Sequence, residues 1–228
     1  MRRAICLQHV SFEGPGAFAS SLAKHGVTLE KYLVPTDGLP NDTGDLLIVM
    51  GGPMSVNDAD PWIAAETDFI RAALVLGKPV IGVCLGSQFM AKALGATIRS
   101  GKALEIGMTP VYLTPEATHD PVFGTLPHSF NVFEWHGEIF DLPNDCVPLV
   151  GSEIAPLQAF RYGTWAYALL FHLEMEEPGM DSLCRECASD LAKAGLSAQH
   201  VKTTALPQLQ KLHNIADRLI DHLLTSER

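Results

Sequence analysis

Short apolar runs alternate with longer amphipathic stretches in the first half of the chain. The runs predict buried strands at residues 3–10, 27–34, 45–50 and 79–84. The third run is almost continuously apolar, as is typical of a strand covered on both faces. The stretches between the runs predict helices at about residues 14–25, 61–76 and 87–94. This alternation favours an α/β fold, in which helices cover both faces of a mostly parallel central sheet.

The pattern changes after Gly95, where short segments joined by Pro and Gly predict further strands at residues 96–99, 107–113, 130–135, 146–152, 157–162 and 166–173. We interpret them as an antiparallel extension plus the remaining central strands. Helices are predicted again at residues 179–194 and 206–224. The apolar face of the last helix either packs on its own domain or forms a homodimer contact. No linker divides the chain, so we expect one domain, residues 1–195, with a C-terminal helical extension, residues 196–228, packed on it.

Composition narrows the classes of function. Of the 228 residues, 47% are apolar and 18% charged, which excludes a disordered chain. The formal net charge is −10 and no cluster of Lys and Arg appears, which argues against nucleic acid as a partner. The apolar runs are too short for a signal peptide or a membrane span. Five scattered cysteines, an odd number, fit a reducing compartment, so we expect a cytoplasmic protein without a membrane partner.

The segment Gly82-Val83-Cys84-Leu85-Gly86-Ser87-Gln88 is the most informative in the chain. It places Cys84 at the end of a buried strand, on a tight turn into a helix, which is the arrangement of a nucleophile elbow. Glycines flank such a turn because side chains would clash within it. The helix N-terminus behind the sulfur favours the thiolate. The alternative is a cysteine buried for packing alone.

A cysteine nucleophile needs a base, and His172 stands out in the apolar segment Leu169-Leu170-Phe171-His172-Leu173-Glu174. If the segment is a strand, His172 and Glu174 project from the same face. The carboxylate can then orient the imidazole, as the third member of a triad does. The alternative is a His–Glu pair that is satisfied within the core.

An oxyanion hole needs backbone N–H groups. Leu85 supplies one directly after the cysteine, and Gly51-Gly52-Pro53, at the end of a neighbouring predicted strand, could supply the other. Both loops are expected at the carboxyl edge of the sheet, where open α/β folds bind their ligands. The alternative for the second loop is an ordinary turn.

Together, Gly51-Gly52-Pro53, the Cys84 segment and Phe171-His172-Leu173-Glu174 resemble the class I glutamine amidotransferases. The similarity is greatest to the glutaminase domain of GMP synthetase and its stand-alone relatives, and it spans roughly residues 3–177. Weaker matches are E-G-P-G, E-I-G, E-W-H-G and A-F-R-Y-G at residues 13–16, 105–107, 134–137 and 159–163. The resemblance implies a flavodoxin-like core, makes residues 1–195 the amidotransferase domain, and implies hydrolysis of the glutamine side-chain amide.

The resemblance also implies roles for single residues. Cys84 would attack the amide and form a γ-glutamyl thioester. His172 would protonate the departing ammonia and then activate water, with Glu174 orienting its ring. The N–H groups of Gly52 and Leu85 would hold the oxyanion.

The amino-acid end of the substrate would be bound by Gln88 and by the backbone at Trp135 and Gly137. One departure from GMP synthetase is visible, because Leu173 stands where that family reads proline. This places the chain nearer the stand-alone relatives.

Two functions remain open. In the first, ammonia passes to an acceptor on a separate synthetase protein; in the second, the enzyme is a stand-alone γ-glutamyl peptidase or hydrolase. A third class, a glutamine-regulated binding protein, is disfavoured by the complete Cys-His-Glu set.

No nucleotide-binding motif, cofactor or metal is expected. Cys184 and Cys187 are interpreted as an apolar pair on a helix. Three dispersed histidines are interpreted as solvated or capping side chains, namely His119, His128 and His136.

Overall fold

The computed structural model describes residues 2–225 and places nine strands of this range in one sheet. The strands are β1 (Arg3–Gln8), β2 (Thr28–Leu33), β3 (Leu46–Val49), β4 (Val80–Val83), β5 (Ile98–Leu113), β6 (Ser129–Phe140), β7 (Cys146–Gly151), β8 (Ala159–Tyr162) and β9 (Ala166–Leu169). Their order across the sheet is β2-β1-β3-β4-β9-β8-β7-β5-β6. The strands β2, β1, β3, β4 and β9 are parallel to one another. The pairings among β9, β8, β7, β5 and β6 are all antiparallel.

The helices are α1 (Ala17–Lys24), α2 (Val34–Asp37), α3 (Pro61–Val75), α4 (Leu85–Ala93), α5 (Glu177–Glu186), α6 (Ala188–Ala194), α7 (Ala198–Ala205) and α8 (Leu209–Thr225). Short 3₁₀ turns occur at Glu116–His119, Phe123–Thr125 and Leu206–Gln208. The α/β class predicted from the alternating pattern is confirmed. No described helix is long and apolar enough to cross a membrane.

Alternation along the strands divides the core into two layers. In β1, Ala4 and Cys6 belong to one apolar cluster, while Ile5 and Leu7 belong to the other, because successive side chains point to opposite faces. The first cluster also takes apolar residues from α1 and α8, and the second takes them from α3 and α4. Helices therefore cover both faces of the parallel strands, as their continuous apolar character predicts.

The antiparallel half differs most from expectation. The predicted strands at residues 96–99 and 107–113 are two ends of one strand, β5, whose pairing with β6 shifts register between Ser100 and Glu105. Polar and glycine residues at this irregularity hid the continuity. The predicted helix at residues 179–194 is two helices that meet at Cys187. Helix α7 was not predicted; the side chain of Ser197 caps it by accepting from the N–H of His200.

Helix α8 packs against α1 and the sheet. Each residue of its predicted apolar face is buried within the chain, namely Leu209, Leu212, Ala216, Leu219, Ile220 and Leu223. Beside this face, Asp217 of α8 accepts hydrogen bonds from Ser21 and Lys24 of α1. The face that the sequence left open to two interpretations is thus covered by the chain itself.

Candidate active site

Cys84 lies on a sharp turn between β4 and α4. Its φ of +50° and ψ of −110° belong to a region that residues other than glycine rarely adopt, and such strain costs about 1–3 kcal/mol. Hydrogen bonds on both sides hold the turn: the N–H of Cys84 donates to the carbonyl of Leu169 (2.8 Å), and its carbonyl accepts from the N–H of Ser87 (3.0 Å). The strained residue is therefore fixed by the sheet and by the first turn of the helix.

The glycines two residues before and two residues after Cys84 are required because the backbone is closely packed at both positions. A Cβ on Gly82 would lie 2.6 Å from the carbonyl oxygen of Gly86. A Cβ on Gly86 would lie 2.0 Å from the carbonyl oxygen of Val49 in β3. Helix α4 can approach the sheet this closely only when both positions lack side chains, as the elbow pattern predicts.

His172 and Glu174 interact, although not in the way that the strand pattern predicted. Strand β9 ends at Leu169, and residues 170–174 are irregular apart from one bridge between His172 and Phe133. The N–H of His172 donates to the carbonyl of Phe133 (2.8 Å), which ties this segment to β6. The pair forms nevertheless, with Nδ1 of His172 2.7 Å from Oε1 of Glu174. The prediction of a shared strand face was therefore wrong, while the predicted contact is present.

One cavity of about 320 Å³ brings the predicted residues together. Its walls include the predicted nucleophile and base and the predicted binding residues, namely Cys84, His172, Gly52, Gln88, Trp135 and Gly137. Glu174 lies behind His172 and is almost fully buried. Three segments far apart in sequence thus meet at one depression.

The ionisable groups of this site change one another's pKa. Burial opposes a charged imidazole, but the Glu174 carboxylate raises the pKa of His172 well above its ordinary value, and the neighbouring Cys84 adds to the rise. Nδ1 is engaged by Glu174, whereas Nε2 has no hydrogen bond of ordinary geometry among residues 2–225. The ring is therefore a strengthened base with one nitrogen available to the thiol.

The thiol itself behaves differently from the sequence prediction of a favoured thiolate. Burial raises the pKa of Cys84, and this effect outweighs the lowering by His172 and by the backbone N–H of Leu85. The thiol also donates a hydrogen bond to the carbonyl of Trp135 (3.6 Å). The raised pKa favours the thiol over the thiolate, so the proton must pass to a base for the sulfur to react.

The Gly51-Gly52-Pro53 turn lies against Cys84. A Cβ on Gly51 would lie 3.5 Å from Cβ of Cys84 and 2.1 Å from Oε2 of Glu13. Any side chain at Gly51 would therefore displace Glu13. The backbone N–H of Leu85 interacts with the sulfur of Cys84, and Gly52 lines the same cavity as Cys84.

Gln88 occupies the first turn of α4 and is buried. Its Oε1 has no hydrogen-bond partner among the described residues. A buried amide oxygen without a partner is unfavourable unless a ligand supplies a donor. Gln88 is therefore suited to accept a hydrogen bond from a ligand in the cavity.

Glu13 is a cavity residue whose function the sequence did not reveal. Its carboxyl lines the wall, and burial raises its pKa although His172 opposes the rise. It belongs to the E-G-P-G segment, in which Gly16 (φ +45°) has a separate purpose: a Cβ there would lie 2.0 Å from the carbonyl oxygen of Glu174. That carbonyl instead accepts from the N–H of Ala17 (2.9 Å), so the segment helps to hold Glu174.

His136 is a correction to the expectation of a solvated or capping histidine. It is buried, and its Nε2 lies 3.1 Å from Oε2 of Glu134 and 3.5 Å from Oε2 of Glu105. It also lines the cavity, as does Cys187, which was expected only to pack. His119 and His128 are exposed, as predicted. Among residues 2–225, no group of three potential ligands is placed to hold a metal ion.

Comparison with known proteins gives concordant matches. A family model for glutamine amidotransferase class-I matches residues 17–184. The glutamine amidotransferase-like protein YfeJ of Salmonella typhimurium is 31% identical over 194 residues, which are 82% of this chain and 81% of that protein. A glutamine-hydrolysing GMP synthase subunit of Thermoplasma acidophilum is 30% identical over 157 residues, 65% of this chain and 76% of that one.

Solved structures give a longer match. The crystal structure of a glutamine amidotransferase from Thermotoga maritima superposes with a TM-score of 0.91 at 27% identity and covers 99% of both chains. A glutamine amidotransferase structure from Methylobacillus flagellatus gives a TM-score of 0.89 at 27% identity, over 98% of this chain and 94% of that one. The structural likeness therefore extends beyond residue 184 into the C-terminal helices.

Proposed function

The chain belongs to the class I glutamine amidotransferase family, and on that premise we propose that it hydrolyses the side-chain amide of glutamine through a γ-glutamyl thioester on Cys84. The observation that carries the proposal is the meeting of Cys84 and His172 in one cavity, with Glu174 2.7 Å from the imidazole. The parallel strand order β2-β1-β3-β4-β9 supports a flavodoxin-like core for this domain.

In the first half of the reaction, the Cys84 thiol gives its proton to Nε2 of His172 as the sulfur attacks the amide carbonyl. The N–H groups of Gly52 and Leu85 hold the resulting oxyanion. Collapse of this intermediate breaks the C–N bond, and His172 returns the proton to the departing nitrogen. Ammonia leaves, and the γ-glutamyl thioester remains on Cys84.

In the second half, water takes the place of ammonia. His172 removes a proton from the water as its oxygen attacks the thioester carbonyl, and the same two N–H groups hold the oxyanion. The C–S bond then breaks, the thiol is restored with a proton, and glutamate leaves. Glu174 balances the charge on the imidazolium in both halves and keeps Nε2 directed at the reacting atoms.

The polar walls of the cavity fit the amino-acid end of such a substrate. The unpartnered Oε1 of Gln88 and the carboxylate of Glu13 are acceptors for an ammonium group. The backbone at Trp135 and Gly137 lines the same cavity. We therefore assign these groups to the α-amino and α-carboxylate end, and leave the Cys84 side to the amide.

The fate of ammonia separates the two candidate reactions. The match to a GMP synthase made as a separate glutamine-hydrolysing chain favours an acceptor on another protein, with the stand-alone γ-glutamyl peptidase or hydrolase as the second candidate. Turnover of glutamine that rises many-fold with a co-purifying synthetase supports the first. Faster turnover of γ-glutamyl dipeptides than of glutamine, without any partner, supports the second.

The test of the chemistry is Cys84→Ala against Cys146→Ala. Both residues are free cysteines, but only Cys84 lines the cavity. We expect the first variant to fold and lose all ammonia release, and the second to retain it. Mass spectrometry after a denaturing quench should detect the glutamyl adduct on the wild-type Cys84 peptide. Full activity in Cys84→Ala would contradict the mechanism.

A cytoplasmic location, a homodimer and the division at residue 195 remain predictions.

A further inference from the structure

A further buried His–Glu pair lies behind the Gly51-Gly52-Pro53 turn, apart from the His172–Glu174 and His136–Glu134 pairs. His9 follows β1, Glu66 lies on α3, and neither side chain has exposed surface. Nδ1 of His9 lies 2.9 Å from the carbonyl oxygen of Gly51, and Nε2 lies 3.0 Å from Oε1 of Glu66. The proposed mechanism has no use for this pair as an acid or base.

The hydrogen bonds show which ring nitrogen of His9 binds the Gly51-Gly52-Pro53 turn. A carbonyl oxygen can only accept, so Nδ1 must carry a proton and donate it to Gly51. The ring packs against Trp62 (ring centroids 5.6 Å apart) and Phe89 (5.4 Å), which also contact each other (6.2 Å), and these contacts restrain its plane. The groups that face it electrostatically are Glu66 and Glu13. Burial opposes a charge on the ring, but the hydrogen bond to Glu66 raises the pKa of His9 above its ordinary value.

The carbonyl of Gly51 and the N–H of Gly52 belong to one planar peptide unit and point in opposite directions. Glycine on both sides leaves the rotation of this unit free of side-chain restraint. We propose that His9, held by Glu66, is a positioning residue that fixes the Gly51 carbonyl and so keeps the Gly52 N–H directed at the oxyanion. This inference rests on the proposed function and adds to it a supporting device behind the oxyanion hole.

Packing alone does not account for Glu66. It stands between Ile63 and Ile70 on the buried face of α3, at a position where the helical period calls for an apolar side chain. A buried carboxylate is unfavourable unless it is paired, and its Oε2 has no partner among residues 2–225. An apolar residue would fill the space at lower cost, so the retained carboxylate is best explained by its hold on His9.

The test uses two amides that match different nitrogens of the ring. In His9→Asn the side-chain nitrogen occupies the place of Nδ1 and can still donate to Gly51, whereas in His9→Gln it occupies the place of Nε2 and cannot. Loss of one oxyanion donor lowers kcat by about 10²–10³-fold. We expect that loss in His9→Gln, with KM for glutamine unchanged, and at least a tenfold recovery of kcat in His9→Asn relative to it.

Alkylation by iodoacetamide separates this role from general damage. Displacement of iodide forms no oxyanion, so Cys84 should be alkylated at the wild-type rate in His9→Gln, while glutamine turnover falls. The matched control is His25→Gln, the same change at another His–carboxylate pair (Nε2 to Oδ1 of Asp221, 3.7 Å), which lies outside the cavity; it should leave kcat unchanged.

The remaining outcomes would each contradict the positioning role of His9 or both proposals. Unchanged kcat in His9→Gln, or equal losses in the two amide variants, would overturn the positioning role and leave the proposed function intact. Alkylation that falls in parallel with kcat would do the same, because it would show that the variant disturbs Cys84 itself. A wild-type protein that hydrolyses neither glutamine nor γ-glutamyl amides, although it is alkylated at Cys84, would overturn both proposals.

Discussion

The strained backbone at Cys84 predicts that glycine fits this position better than alanine. At φ +50° and ψ −110°, any Cβ adds about 1–3 kcal/mol of strain, and glycine removes it. We therefore expect the change from alanine to glycine to cost less stability at residue 84 than at an unstrained position, although neither Cys84→Gly nor Cys84→Ala has a thiol and both should be inactive. The comparison tests whether the site stores strain for the sake of the nucleophile.

Two other effects oppose glycine and must be subtracted. Glycine loses about 0.5–1 kcal/mol through the greater freedom of its unfolded chain, and the missing methyl group forfeits about 0.8 kcal/mol of burial. Cys146 in β7 supplies the reference, because its φ is negative and glycine there relieves no strain. The change from alanine to glycine should thus cost more at residue 146 than at residue 84, by about 1–3 kcal/mol.

The assay is thermal unfolding of the four variants in one buffer. For a chain of this size, 1 kcal/mol shifts Tm by about 2–4 °C, so a difference of about 2 kcal/mol corresponds to about 4–8 °C between the two alanine-to-glycine changes. Equal Tm changes at the two positions would refute the reasoning, since they would show that Cys84 carries no conformational penalty in the folded protein.

Three further outcomes follow from the same geometry. Glu174→Gln should lower kcat by less than the roughly 10²–10⁴-fold loss in His172→Ala, and it should move the acid limb of the kcat/KM profile to lower pH, because the carboxylate that raises the pKa of His172 is gone; a limb that stays in place would separate Glu174 from the base. Gln88→Ala should raise KM about tenfold or more, through loss of a hydrogen bond to a charged group, with little change in kcat; initial rates over a range of glutamine concentrations decide this, and an unchanged KM removes Gln88 from binding. Gly86→Ala should destabilise the fold by about 1–3 kcal/mol or more through its clash with Val49, whereas Gly179→Ala, with only an ordinary contact at 3.5 Å, should not; equal denaturation midpoints would contradict the close approach.

The residues of the predicted triad could be found from sequence because each stands in a segment with an unusual local requirement. Gly82 and Gly86 mark a turn that side chains cannot enter, and His172 interrupts an apolar run. These are short-range signals. The conformation around His172 was not predictable in the same way, because the bond that shapes it comes from Phe133, on a strand far away in sequence.

The supporting residues were missed for a related reason. Glu66 looks like one exposed acid among many until the helix is placed with Ile63 and Ile70 against the sheet. His136 meets Glu105 because β5 lies beside β6 in the sheet. In both cases the signal is a pairing across elements, and a single sequence does not state which elements are neighbours.

The parallel register explains why these separate pieces form one site. Leu7 pairs with Val49, Val49 with Gly82, and Val83 with Leu169, so β1, β3, β4 and β9 end at the same level of the sheet. One or more residues past that level, the four strands deliver His9, the Gly51–Gly52 peptide, Cys84 and His172 in spatial order. One edge of the sheet thus presents, in order, His9 of the His9–Glu66 pair, the turn proposed to form the oxyanion hole, the proposed nucleophile and the proposed base. A shift of β3 by a single residue would turn its side chains to the opposite face, move the Val49 carbonyl from its place beside Gly86, and move the Gly51 carbonyl away from His9. The turn at Cys84 and the proposed oxyanion hole therefore depend on the same strand register.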